Sequence, residues 1–294
     1  MSLNTVGIMS PGDMGHNVGK MLDSHGLRVI TCLEGRSERT RGLAKKANIR
    51  EVPTYQDLVN ESDLLLSILV PARAKQMAQS IAQAISETKA DITYVDCNAI
   101  APQTVRQIDE IISGAGGHFV DAGIIGPPPR REGTTRLYAS GPRADAFEAL
   151  NQFGLEVIVL GEKIGQASAI KMCYAALTKG LAALSIELLT AAEALGVSES
   201  LREELRKSQS MLYERMEKQL PGVPSKSRRW VGEMEEIAKT FEHVGLTPKI
   251  HAGAADVYRL VGGTDLADRT PEATEPLPTL TQMISILRSK IPKR

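Results

Sequence analysis

The sequence predicts an α/β chain: a doubly wound parallel sheet in the first half, an all-α second half, and one long helix joining them. Three observations carry this. Short apolar runs alternate with helix-patterned segments over roughly the first 160 residues, as in a sheet covered on both faces. The first run ends in a glycine-containing turn that leads directly into a helical pattern. From Gln166 to Leu195 there is no proline and a single glycine, Gly180, among good helix formers. At 1.5 Å per residue that stretch makes a helix of roughly 45 Å, enough to pass from one domain into another.

The elements follow in order. Thr5-Val6-Gly7-Ile8-Met9 is the first strand, followed by Ser10-Pro11-Gly12-Asp13-Met14-Gly15 and a helix from His16 to His25. A dinucleotide-binding unit requires this order: glycine lets the backbone approach a pyrophosphate, and the helix start offers unpaired N–H groups. Ser10 stands where the first glycine of that motif belongs; Gly12 and Gly15 fit. Any tight strand-to-helix turn needs glycine, so the motif is weak alone. It makes Ser10, Pro11, Gly12, Asp13, Met14 and Gly15 candidate cofactor contacts.

Val29 to Leu33 is the second strand, and the residues after it would read the adenosine ribose. Glu34, 19 residues after Gly15, suits a 2′-hydroxyl. Arg36, Ser37 and Arg41 instead suit a 2′-phosphate through charge-assisted bonds. Several cations after one acid favour NADP, with NAD as the alternative; a solvated helix start is the bland reading. Leu64 to Val70, closed by Pro71, and Thr93 to Val95, leading to Asn98, are further strands, as are Phe119-Val120, Thr135 to Ser140 and Glu156 to Leu160. Helices fill Ala72 to Ile85 and Gln103 to Ile112. Consecutive apolar residues mark strands buried on both faces. Ligands of such sheets sit at the carboxyl ends of the strands, where the glycine turn, Val70, Pro71 and Asn98 fall.

After Gly196, Val197 to Leu220 reads as one amphipathic helix, Pro221 to Pro224 as a break, Ser227 to Val244 and Lys249 to Val261 as further helices, and Pro271 to Arg294 as a turn with a short terminal helix. Trp230 reads as core packing, and Arg228 and Arg229 as partners of nearby glutamates. The domains are thus 1–163, Rossmann-type, and 164–294, helical.

Composition narrows the function. Lys plus Arg and Asp plus Glu each number 35, and the neutral balance argues against nucleic acid as a partner. No apolar run reaches the roughly 18 residues of a membrane span, so no membrane is expected. No signal peptide is visible, which places the chain in the cytoplasm. Cys32, Cys97 and Cys173 lie far apart in apolar segments and read as buried thiols, with no metal site expected. Lys171, among Ala167, Ala169, Ile170, Met172 and Ala175, is either snorkelling to water or held dry for chemistry.

Four stretches together resemble the β-hydroxyacid dehydrogenases, the family that includes 6-phosphogluconate dehydrogenase: VGIMSPGDMG (6–15), DCNAIAP (96–102), DAGIIGPPPRREGTTRLYASG (121–141) and GQASAIK (165–171). Their order and spacing match across roughly the first 200 residues. The resemblance implies Gly12 and Gly15 at the pyrophosphate, Asn98 near nicotinamide and substrate, Lys171 as catalytic lysine, and a homodimer formed through the C-terminal half. The substrate loop departs from the family's Ser-Gly-Gly: Ile125, Gly126 and Pro127 stand there, followed by Pro128 and Pro129, and proline donates no N–H. The family's two asparagines after the lysine are Tyr174 and Ala175 here. The segment from Pro224 to Pro248 resembles a phosphogluconate-dehydrogenase-like subgroup with its own helical domain.

The expected activity is NAD(P)-dependent oxidoreduction at the CH–OH of a small, acidic hydroxy acid, with decarboxylation of the product left open. Lys171 would exchange the proton, with Asn98 and Tyr174 assisting and Thr178 extending that helix face. Ile125 and Gly126 would line the substrate. Arg130, Arg131 and Arg136 are candidate anchors for its acid group. Two other classes compete: a C=N (imine) reductase on the same scaffold, and a non-catalytic dinucleotide sensor.

Overall fold

The computed structural model describes residues 3–270 and 273–292. The chain divides into two compact units, residues 1–172 and 173–294. The expected boundary lay before the long helix; the division falls inside it.

The first unit is organised on an eight-stranded sheet. Its elements are β1 (Thr5–Met9), α1 (Gly15–Ser24), β2 (Arg28–Cys32), α2 (Glu38–Lys46), β3 (Arg50–Val52), α3 (Tyr55–Glu61), β4 (Leu64–Ser67), α4 (Pro71–Thr88), β5 (Thr93–Asp96), α5 (Pro102–Gly114), β6 (His118–Ile125), β7 (Arg136–Ser140), α6 (Ala144–Glu148) and β8 (Glu156–Gly161). The strand order is β3-β2-β1-β4-β5-β6-β7-β8. Neighbours are parallel except β6 and β7, which are antiparallel, so β7 and β8 run against the first six. That departs from a wholly parallel sheet: the connection from Gly126 to Thr135 returns as a long hairpin, with no crossover helix.

Both sheet faces are covered, as the consecutive apolar strands require. One core joins Val18 and Leu22 of α1, Ala44 of α2 and Phe147 of α6 to Ile8, Leu66 and Val120. The other joins Leu58 of α3, Ile81 of α4 and Ile108 of α5 to Met9, Leu65 and Tyr94. Each such aliphatic side chain contributes about 1.5–3 kcal/mol through burial.

Three differences from the sequence reading have physical causes. β3 has Arg50 and Glu51 exposed and lacks an apolar run. α3 carries its signal in a capping box, Thr54 with Asp57, rather than in apolar periodicity. β4 stops at Ser67 although the apolar run continues to Val70, because the Leu69 N–H turns away to Asn98 Oδ1 at 2.5 Å.

The helix α7 (Gln166–Leu195) is continuous over the residues anticipated. By length and composition it is the one helix among the described residues that could cross a membrane, but it is built into protein at Asp121 and Glu233, as described below. Cys32 and Cys97 are buried, whereas Cys173 is exposed on α7. Helical periodicity turns that position outward, which an apolar neighbourhood in sequence did not show.

The second unit continues with α8 (Ser198–Ser208), α9 (Ser210–Gln219), α10 (Pro224–His243), α11 (Lys249–Gly262) and α12 (Leu280–Lys290). The single helix expected over 197–220 is broken at Gln209, beside Ser208, whose hydroxyl bonds the Glu204 carbonyl at 2.8 Å. In the terminal segment Pro271, Glu272, Lys293 and Arg294 lie outside the described residues.

Inside this unit, Lys179 of α7 forms a buried ion pair with Glu233 of α10 and lies 5.4 Å from the Trp230 ring. Arg229 reaches the other oxygen of Glu233 at 3.2 Å. Tyr258 of α11 donates to the Lys179 carbonyl at 2.6 Å and meets Trp230 edge-on at 5.3 Å. Arg228 pairs with Asp268 at 2.7 Å. Trp230 is therefore a packing residue and Arg229 pairs with a nearby glutamate, as expected, whereas Arg228 pairs with Asp268 and not with a neighbouring glutamate.

Candidate functional site

The turn after β1 has the conformation that a phosphate cradle needs. Ser10 has φ 58°, in the left-handed region that glycine takes without strain, and the Gly12 N–H bonds the Ser10 carbonyl at 2.7 Å. The missing first glycine is thus a position where serine adopts the glycine conformation, at a cost of about 1–2 kcal/mol. A Cβ on Gly15 would stand 3.1 Å from the Ser10 carbonyl oxygen, so backbone packs tightly there. α1 has no capping side chain and no acid in its first turn; the His16 N–H bonds the Gly12 carbonyl at 2.9 Å, and the helix start as a whole favours an anionic ligand. Pro11 and Gly15 are buried, while Gly12, Asp13 and Met14 are partly open. Asp13 pairs with Arg39 of α2, linking the turn to the element after β2.

The ribose-reading residues separate into two kinds. Arg41 is taken by Glu51 at 2.9 Å and by the Leu33 carbonyl at 2.8 Å. Ser37 caps α2, accepting from the Thr40 N–H at 3.3 Å. Arg36 differs: its Nε is buried and has no hydrogen-bond partner among the described residues. A buried donor without a partner is costly and fits a site completed by a ligand oxygen. Glu34 is exposed beside it. The residues present therefore fit a dinucleotide phosphate. Val70 is 44% exposed at the N-cap of α4, with Pro71 at the first helical position, at the same sheet end.

At β5, Asn98 lies where it was expected but is engaged differently. Its Nδ2 donates to Ser67 Oγ and Asp96 Oδ2, each at 3.0 Å, and its Oδ1 accepts from Leu69. Both amide hydrogens are thus used inside the protein, tying the ends of β4 and β5 together. Asp96 is buried, and burial, with the charge of Asp121 adding to it, pushes its carboxyl up to about 7 against the Asn98 bonds.

β6 carries the key register. Asp96 is opposite Asp121, which puts Gly123 beside the level of Asn98. Asp121, Ala122 and Gly123 lie within the strand rather than at its exit. A Cβ on Gly123 would stand 2.6 Å from the Ala167 carbonyl oxygen and 2.9 Å from Lys171 Cβ, so only glycine lets α7 come this close. Lys171 is half-buried and donates from Nζ to the Ile124 carbonyl at 2.5 Å. The amine is thereby held over the carboxyl half of β6, on the strand next to Asn98. Asp121, inside the Asp-Ala-Gly stretch but not among the expected site residues, accepts four hydrogen bonds, three of them from the start of α7 and one from β7. They come from Gly165 N, Ser168 N and Ser140 Oγ at 3.0 Å each, and Ser168 Oγ at 2.5 Å. Burial still pushes its carboxyl above the ordinary range.

The remaining candidates are spread out. Ile125 ends β6 with its side chain buried. Gly126 has φ 125° and opens the proline loop, where the Pro127 carbonyl accepts from Thr135 Oγ1 at 2.5 Å. Arg130 and Arg131 are exposed on that loop, and Arg136 starts β7 opposite Ile125. Tyr174 is 46% exposed one turn beyond Lys171, and Thr178 bonds the Tyr174 carbonyl at 3.1 Å. No cluster of three or more His, Cys, Asp or Glu suited to a metal occurs among the described residues.

Comparison with known proteins agrees with the dinucleotide-binding fold. Residues 5–160 match the family model described as the NAD binding domain of 6-phosphogluconate dehydrogenase, and residues 192–261 match a domain of unknown function, DUF1932. An uncharacterised 28.5 kDa protein of Methanothermus fervidus is 30% identical over 244 residues, 83% of this chain and 93% of its own. A solved conserved protein, described as structurally similar to 3-hydroxyacid dehydrogenases, is 32% identical with a TM-score of 0.65, covering 88% of this chain and all of that one. The 3-hydroxyisobutyrate dehydrogenase of Mycobacterium tuberculosis, at 16% identity, shares the fold with a TM-score of 0.70 over 98% of this chain and all of its own. With its Rossmann-type sheet, its cradle after β1 and its helical second unit, the chain belongs to the NAD(P)-binding, 6-phosphogluconate dehydrogenase-like family.

Proposed function

We propose that the protein is an NAD(P)-dependent oxidoreductase acting on the CH–OH group of a small acidic hydroxy acid, with Lys171 as general acid/base. The observation that carries this is the Lys171 amine held by a neutral carbonyl, Ile124 O, one strand from Asn98 on the ligand-binding side of the sheet. A bound nicotinamide supplies the hydride acceptor or donor. The chain supplies the proton site. An amine bonded to a carbonyl keeps that bond whether it is neutral or an ammonium, so the bond holds it in place through proton exchange. The neutral amine takes the proton of a substrate hydroxyl; the ammonium returns it in the reverse direction. Asn98 serves this reading by fixing the floor of the site between Ser67 and Asp96, and Tyr174 and Thr178 line the next turn of the same helix face.

NADP is the favoured cofactor, on the unpartnered Arg36 Nε with Ser37 beside it; Glu34 would serve a 2′-hydroxyl in the NAD alternative. Proline at 127 supplies no amide to a substrate acid, so Arg130, Arg131 or Arg136 would take that part. A homodimer is the expected assembly: Leu177, Leu184 and Leu195 are 67%, 55% and 75% exposed along α7, an apolar stripe suited to a second copy.

The test is a screen of hydroxy acids, sugar acids and imines for NADPH or NADH turnover, with release of CO2 followed in parallel. Turnover confined to imines selects the C=N reductase, and cofactor binding with no turnover selects the sensor. For the substrate found, Lys171→Ala should lower kcat by about 10²–10⁴-fold with cofactor binding retained. Persistent turnover in that variant removes the lysine from the chemistry.

A further inference from the structure

We infer that Asp121 is a positioning residue for Lys171: its carboxylate clamps the first turn of α7 to β6 and so sets where the lysine amine stands along the strand. The inference rests on the role proposed for Lys171, but its test uses no turnover. Asp121 is fully buried in the middle of β6. All four of its partners given above are donors, which suits an ionised carboxylate with no proton to place. Three of them, Gly165 N, Ser168 N and Ser168 Oγ, belong to the entry and first turn of α7. The fourth, Ser140 Oγ of β7, itself accepts from the Ala167 N–H at 3.1 Å, adding a second tie to the same turn.

Three residues further along β6 is Ile124, whose carbonyl holds Lys171; three residues further along α7 from Ser168 is Lys171 itself. Strand and helix are therefore joined at two matched points. Gly123 between them lets the backbones touch at Ala167. The clamp also satisfies N–H groups that a helix start otherwise leaves open. With the carboxylate removed, the first turn can slide or fray, and the Lys171 bond to Ile124 goes with it.

The experiment is acetylation of the intact protein by acetic anhydride, read by peptide mass spectrometry. Lys163, exposed in the turn before α7, is the internal reference. In Asp121→Asn, Lys171 should label on the order of tenfold faster relative to Lys163, the consequence of losing a charge-assisted clamp. Ser168→Ala, which keeps the carboxylate but removes one bond, should show an increase of about two- to threefold. If Asp121→Asn does not fold, Ser168→Ala decides. An unchanged ratio of Lys171 to Lys163 labelling in a folded variant overturns the inference. So does a rise of both lysines together, which would mean general loosening. Should Lys171→Ala retain turnover while the labelling ratio moves as expected, the clamp stands and the acid/base reading falls.

Discussion

Two regions of the molecule treat charge in opposite ways. In the helical unit, cations meet acids: Lys179 and Arg229 share Glu233, Arg228 has Asp268, and Arg259 has both Glu235 and Asp256. At the carboxyl end of the sheet, polar groups are left tuned or incomplete. Arg36 keeps a buried nitrogen unpartnered among the described residues, Asp96 is buried with its carboxyl raised, Ser10 holds a glycine conformation, and Lys171 donates to a backbone carbonyl. Two lysines of one helix make the point. Lys179 is neutralised by Glu233 and buried, which suits a structural role; Lys171 is half-buried and donates to the Ile124 carbonyl. Strain and incomplete pairing gather at the end of the sheet proposed to bind ligand, at the expense of local stability.

This contrast can be broken in several ways, the largest effect first. Lys179→Met should cost about 3 kcal/mol in urea unfolding, because Glu233 is left buried with half of its compensation; Lys179→Met with Glu233→Gln should recover most of that. A single variant as stable as the parent would mean that the pair is solvated. Arg36→Ala should weaken NADPH binding by about 10–100-fold while NADH changes little, measured by fluorescence titration. Equal losses for both would remove the preference for NADP. Asp96 supplies a pH signature. With the folded carboxyl at about 7 and the unfolded one near 3.9, the native state holds a proton that the unfolded chain has released. The contribution of Asp96 to stability should therefore be greatest at the acid end and fall as pH rises from about 4 to about 7, by about 1.4 kcal/mol per pH unit at most. Asp96→Asn should flatten that slope in chemical denaturation. The smallest effect is expected of Ser10→Gly, which relieves the left-handed backbone and should raise stability by up to about 1 kcal/mol.

Much of this was legible in residue order, and the gaps have reasons. The extents of β1 and α7 followed from apolar pattern and the placement of glycine and proline, because local propensity and tertiary packing agree there. β3, α6 and the break at Gln209 were missed, since they depend on neighbours rather than on their own pattern. Cys173 was placed inside from its apolar company, although the helix turns it outward. Lys171 and the glycine turn stood out because their motifs recur within a family. Asp121 did not, since its partners lie up to 47 residues away, and only the pairing of β6 with α7 brings them to one carboxylate. Asn98 was singled out from its motif, but not that its amide hydrogens are engaged by Ser67 and Asp96.

Gly123 has the widest reach. Where strand and helix touch, the clearance is less than one methyl group, so the reach of the Lys171 amine is decided by a side chain that does not exist. Any larger residue there would wedge the helix away from the sheet and lift the amine from the Ile124 carbonyl, with every polar side chain left in the sequence.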